Sequence, residues 1–142
     1  DFYLSVPCKL LANMIDILEK DNDVYYSAVP REEEGMGICA GAYLGNKFPC
    51  IMMQNTGIGN SVNAIVSLLQ LYQMPVVFLI SYRGTPGEPV GAQGEMAKIT
   101  KEFYPKSIVD DFDDTTKDIS KTSFKKKVKY QKKLHNLRGR FC

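Results

Sequence analysis

Three consecutive carboxylates, Glu32, Glu33 and Glu34, stand directly before the small-residue run Gly-Met-Gly-Ile-Cys-Ala-Gly-Ala. Acids in that position complement the positive end of a helix. Gly35, Gly37 and Gly41 would each cost a helix about 1 kcal/mol relative to alanine, which calls for something packed tightly against the segment. Successive residues point about 100° apart on a helix, so one of the three acids turns toward that contact.

Three other stretches have residue types suited to chemistry. Gln54-Asn-Thr-Gly-Ile-Gly-Asn60 reads as a glycine turn entering a helix capped by Asn60 or Ser61, with N–H groups that an anion could meet. It lacks the Lys-Ser/Thr of a nucleotide-phosphate loop, so a plain tight strand-to-helix turn is the favoured reading. Residues 81–93 form a long Gly/Pro loop of the kind that often carries function, and its Arg83 suits either an acidic substrate or an ion pair with Glu88. Cys8, Cys39, Cys50 and Cys142 form no C-x-x-C pair, and the single histidine, His135, supplies neither a zinc set nor a base for a thiol nucleophile. Reduced, buried thiols are the expectation.

The elements that must position these residues alternate regularly. "FYLSV", "VYYSAV", "CIMMQN" and "VVFLISY" are short apolar runs, each followed by a helical pattern; after the first, Leu11, Met14, Ile15 and Leu18 share one face. Four β-then-α units predict an α/β fold, a parallel sheet flanked by helices. Ligands of such sheets gather beyond the carboxyl ends of the strands. Pro7 and Cys8, Pro30 to Glu34, Gln54 to Asn60 and Tyr82 to Gln93 all fall there.

The 142 residues suit one domain. No apolar run reaches the roughly 20 residues of a membrane span, and no signal peptide is seen, so a cytoplasmic protein is expected. Residues 1–100 carry six Lys/Arg against ten Asp/Glu, whereas 101–142 carry twelve against six. The reading is a domain over 1–105 and an atypical basic tail over 106–142. From Ser120 to Cys142 there are nine basic residues and no acidic one. A solvated helix or frayed end accounts for that run, and nucleic acid is not the expected partner because no RNA-binding signature accompanies it.

Taken in order, Ser5-Val-Pro7, the stretch from Arg31 to Glu88 and Ala92-Gln93 resemble the pyrimidine-binding domain of thiamine-diphosphate-dependent 2-keto acid decarboxylases. The likeness runs from about Asp1 to Lys101. It is greatest to the branch acting on sulfopyruvate, a step in coenzyme M formation, with the phosphonopyruvate branch next. In this family an acid ahead of the small-residue helix hydrogen-bonds N1′ of the cofactor's aminopyrimidine, and that register falls on Glu33. The shared proton favours the imino form, whose 4′ nitrogen deprotonates C2 of the thiazolium. Apolar surroundings are implied, so that the carboxyl keeps a shareable proton. Glu32 and Glu34 would then be its dipole-facing and solvent-facing neighbours.

By the same resemblance Asn55 and Gly57 border the cofactor and substrate space, and Gln93 matches a loop glutamine near the active site. Arg83 or a partner chain would meet the anionic end of a small 2-keto acid. The diphosphate and its Mg2+ belong in the family to a separate domain with a Gly-Asp-Gly and Asn signature that this sequence does not contain. The implied partner is therefore a beta subunit carrying that pyrophosphate domain, with thiamine diphosphate bound between the chains. The resemblance also implies a first helix ahead of "DFYLSVPC" that is absent here, and it fails beyond about Lys101. A non-catalytic α/β module whose basic tail contacts nucleic acid is the alternative from another class.

Overall fold

The stretch Pro49 to Met53 is apolar at every position, the pattern a parallel strand needs when both its faces are covered. A computed structural model describes residues 1–84 and 91–103. In chain order the elements are β1 (Phe2–Ser5), α1 (Ala12–Glu19, entered through a tight turn at Lys9–Leu11), β2 (Tyr25–Ala28), α2 (Glu32–Leu44), β3 (Pro49–Gln54), α3 (Asn55–Ala64), β4 (Val77–Ser81) and α4 (Gly91–Phe103). All strand pairs are parallel, in the order β2-β1-β3-β4. The α/β reading holds. The proposed tail over 106–142 and the Arg83–Glu88 pairing lie outside the described residues.

Alternation along each strand divides the core in two. Cys50 and Met52 of β3 join Tyr3, Leu11, Met14, Leu18 and Phe48 on the α1 face. Ile51 and Met53 join Leu4, Met36, Cys39, Ile58, Ile65 and Leu69 on the α2 and α3 face. Leu11, Met14 and Leu18 are buried as the helical spacing predicts. Cys39 and Cys50 are fully buried and free, whereas Cys8 is only half-buried.

The strand order makes β1 and β3 neighbours whose onward connections run in opposite directions, β1 toward β2 and β3 toward β4. At such a switch point the two following loops diverge and leave a crevice at the carboxyl edge. α2 lies so close to the sheet that a methyl group on Gly35 would run into Ile51 Cδ1. Here is the tight packing the glycines call for, but only Gly35 takes part in it. Among the described residues, a Cβ on Gly37 or Gly41 would meet nothing within 4 Å.

One expected boundary is wrong. The predicted glycine turn over Gln54 to Asn60 is helical from Asn55 onward, because α3 starts directly after β3, whose last residue is Gln54. Ser61 is not a cap; its Oγ donates to the Gly57 carbonyl at 2.9 Å, one turn back inside the helix. The glycines serve close helix contacts instead: a Cβ on Gly57 would overlap Glu32, and one on Gly59 would lie 3.0 Å from Met96 Cε of α4. Beyond Ala64 the helix widens into a π-helical segment over Ile65–Gln70.

Candidate functional site at the carboxyl edge of the sheet

The acid triplet opens α2. Arg31 occupies the N-cap position with an extended backbone and no side-chain capping bond, and all three acids lie in the first turn. That placement suits the positive end of the helix. Their surroundings differ. Glu32 is half-buried against α3, where Asn60 Nδ2 donates to its Oε2 at 3.2 Å. Glu33 points outward with its side chain 48% exposed, 3.9 Å from an Arg31 that is itself 70% exposed. A pair that loose and that solvated adds little stability. Glu34 is exposed.

Two expectations for the triplet change accordingly. Glu32, and not a merely dipole-facing bystander, is the acid that turns into the helix contact. Glu33 is exposed among the described residues, without the apolar surroundings the resemblance implies, because its place on α2 faces away from the sheet. One and two helical turns further on, Gly37 and Gly41 continue its stripe with no described residue above them, beside an Ile38 that is 44% exposed.

Asn55, Arg83 and Gln93 are brought together. Asn55 is fully buried at the start of α3, and its Nδ2 donates to the Arg83 carbonyl at 3.1 Å and to the Gln93 carbonyl at 3.2 Å. Its Oδ1 accepts from the Arg83 N–H at 3.4 Å. Asn55 thus holds the backbone at Arg83 and Gln93 in place. Gly57 is also buried, with its outer space filled by Glu32. Gln93 lies in the first turn of α4 and not in a loop, because α4 begins at Gly91. Its Oε1 is buried with no hydrogen-bond partner among the described residues. Arg83 is half-buried just past β4. Gly84, with φ of +94°, lets the chain turn back so closely on α4 that a Cβ there would strike the Gly94 backbone.

Sequence reading missed two pairings at this edge. Cys8 Sγ and Ser81 Oγ, from the ends of β1 and β4, lie 3.1 Å apart. The Glu32–Asn60 bond links α2 to α3. Neither has a local signal, since the partners are 73 and 28 residues apart.

For the aminopyrimidine half of thiamine diphosphate, the donor set fits. An outward carboxyl group at a helix start can share a proton with a ring nitrogen, and the stripe above Gly37 and Gly41 leaves room for a flat group or a neighbouring backbone to approach. Among the described residues no cluster of His, Cys, Asp or Glu could hold a metal ion. None of the described helices is long and apolar enough to cross a membrane.

No protein-family profile matches the chain. Curated relatives do. The chain is 46% identical over 103 residues to the sulfopyruvate decarboxylase subunit alpha of Methanococcus maripaludis, covering 72% of this chain and 62% of that one. It is 48% identical over 98 residues to the protein of the same name from Methanocaldococcus jannaschii, covering 69% and 58%. A phosphonopyruvate decarboxylase of Streptomyces viridochromogenes is 39% identical over 99 residues, which is 69% of this chain but 25% of that one. The chain thus spans about 60% of the length of the alpha subunits it matches. Over roughly 70% of its own length, the chain is similar to sulfopyruvate decarboxylase alpha subunits at 44–48% identity, and at lower identity to phosphonopyruvate decarboxylases.

Proposed function

We propose that this chain is the pyrimidine-side subunit of a thiamine-diphosphate-dependent sulfopyruvate decarboxylase of the cytoplasm, forming sulfoacetaldehyde and carbon dioxide in coenzyme M biosynthesis. The observation that carries the reading is Glu33, an outward carboxylate in the first turn of α2 at the carboxyl edge of the sheet, on an open small-residue stripe. The kinship with subunits named alpha supports a second subunit. A beta subunit bearing the pyrophosphate domain would cover that stripe, hold the diphosphate with its Mg2+, and supply the apolar cover that Glu33 lacks here.

Within that assembly Glu33 holds a proton at the N1′ side of the bound pyrimidine. The cofactor, when bound, supplies the electron sink for loss of carbon dioxide. Asn55 fixes the backbone at Arg83 and Gln93, and Gly57 gives Glu32 its seat. The Arg83 guanidinium is the chain's candidate for the substrate's sulfonate, since a planar cation with several N–H donors matches an oxyanion.

Co-expression with a pyrophosphate-domain subunit, followed by decarboxylation assays with sulfopyruvate and phosphonopyruvate in thiamine diphosphate and Mg2+, tests the proposal. Turnover of sulfopyruvate supports it. Preference for phosphonopyruvate moves the substrate assignment to the more distant relatives' chemistry, and no turnover of either keto acid rejects the enzyme reading. In the same complex Glu33→Gln is expected to abolish exchange of the cofactor's C2 proton; wild-type exchange would remove Glu33 from its role.

A further inference from the structure

Glu32 is the acid of the triplet that the fold engages most closely, and the proposed chemistry does not use its carboxyl group. A Cβ on Gly57 would lie 2.5 Å from Glu32 Cγ, 2.6 Å from Oε1 and 2.8 Å from Cδ. Cγ is the near end of the side chain, so the whole arm, and not just a mobile tip, is seated on α3. Asn60 Nδ2 holds the far end at 3.2 Å. The carboxylate thereby lies at the first turn of α2 by sequence and of α3 by contact, where two positive helix ends favour an anion.

The inner face of α2 is anchored by Gly35 against Ile51 and by buried Met36, but the outer side of its first turn is held through Glu32. Arg31 provides no side-chain cap, and the turn closes through the Gly35 N–H donating to the Arg31 carbonyl at 3.1 Å. Whatever sets the rotation of this turn also sets where its next residue faces. With Glu32 directed at Gly57, Glu33 lies about 100° around the helix and must point off α3, onto the open stripe with Gly37 and Gly41.

We propose that Glu32 is a positioning residue: its seat on Gly57 and Asn60 locks the first turn of α2 so that Glu33 faces the site. The inference rests on the reading of Glu33 as the cofactor's proton partner. It also explains why a glycine stands at position 57 inside a helix, where alanine would otherwise be favoured.

The test uses this chain assembled with its pyrophosphate-domain subunit, in wild-type form and as Glu32→Ala, Gly57→Ala, the double variant, Glu32→Gln and Glu33→Gln. Two readouts are taken: hydrogen exchange of the Gly35 amide without cofactor, and C2 proton exchange of bound thiamine diphosphate. Glu32→Ala and Gly57→Ala are each expected to speed Gly35 exchange and to slow C2 exchange by roughly 10- to 100-fold, the usual consequence of a small misplacement. The double variant should be no worse than the worse single one, because both remove the same contact. Glu32→Gln, which keeps the arm and an acceptor for Asn60, should recover most of both signals. Wild-type Gly35 exchange in both single variants overturns the positioning role whatever Glu33 does. So does wild-type C2 exchange in both while Glu33→Gln abolishes it. If Glu33→Gln itself leaves C2 exchange intact, the assignment of Glu33 fails instead, and the Gly35 readout still decides whether Glu32 holds the turn.

Discussion

The side-chain amide of Asn55 exchanges two hydrogen bonds with the backbone of Arg83, donating to its carbonyl at 3.1 Å and accepting from its N–H at 3.4 Å. The amide so continues the β3–β4 pairing one step past Gln54 and Ser81, the last paired residues, by means of a side chain. A second Asn55 donor holds the Gln93 carbonyl at 3.2 Å, tying the chain on both sides of residues 85–90 to the start of α3.

Replacing Asn55 should therefore cost stability before it alters chemistry. Asn55→Ala leaves buried carbonyl groups without donors, a loss of about 1–3 kcal/mol. Asn55→Asp should be worse despite its near-identical shape, because it turns a carboxylate toward two carbonyl oxygens in a buried site. Denaturant unfolding midpoints measure the order; a neutral Asn55→Asp would show that these bonds do not hold the loop.

The glycines of α2 should separate into two kinds. A methyl on Gly35 meets Ile51 in the core, so Gly35→Ala is expected to destabilise by about 1–3 kcal/mol through overpacking. Gly37→Ala meets open space and should leave the isolated chain unharmed, or stabilise it by up to about 1 kcal/mol through helix propensity. If the stripe carrying Glu33 packs against a partner, Gly37→Ala should nevertheless weaken assembly. Thermal unfolding of the single chain, set beside titration with the pyrophosphate-domain subunit, distinguishes the two effects.

Burial pushes the thiols of Cys39 and Cys50 from 9.0 up to about 12, and it pushes the Tyr3 hydroxyl from 10.0 up to about 12 with further help from Cys50 and Asp21. Groups with raised folded-state values are held neutral by the fold, so their contribution is complete below the unfolded values near 9 and 10 and is lost as pH rises toward 12. Stability should fall across pH 9 to 12, with Cys39→Ser and Cys50→Ser flattening the decline. At neutral pH a maleimide should modify half-buried Cys8 well ahead of Cys39 and Cys50, as peptide mapping would reveal. Equal rates would contradict the burial.

Much of the fold was legible because its signals are local. Apolar runs such as "CIMMQN" cannot stay in water, and their alternation with helical spacing leaves few options besides a parallel sheet. The start of α3 was not legible. Gly57 and Gly59 look like turn residues until it is known that Glu32 and Met96 press against them.

The chain's residues by themselves determined the sheet, the helix that begins with three acids, and the likeness that singles out Glu33. Those follow from apolar periodicity and a contiguous motif, both readable along one dimension. Only the tertiary structure decided that Glu32 turns inward and Glu33 outward, that Asn55 is a buried clamp, and that Gly37 and Gly41 lie open while Gly35 does not. Each of those depends on which groups from distant parts of the chain occupy the same few ångströms, and spacing along the sequence does not encode that proximity.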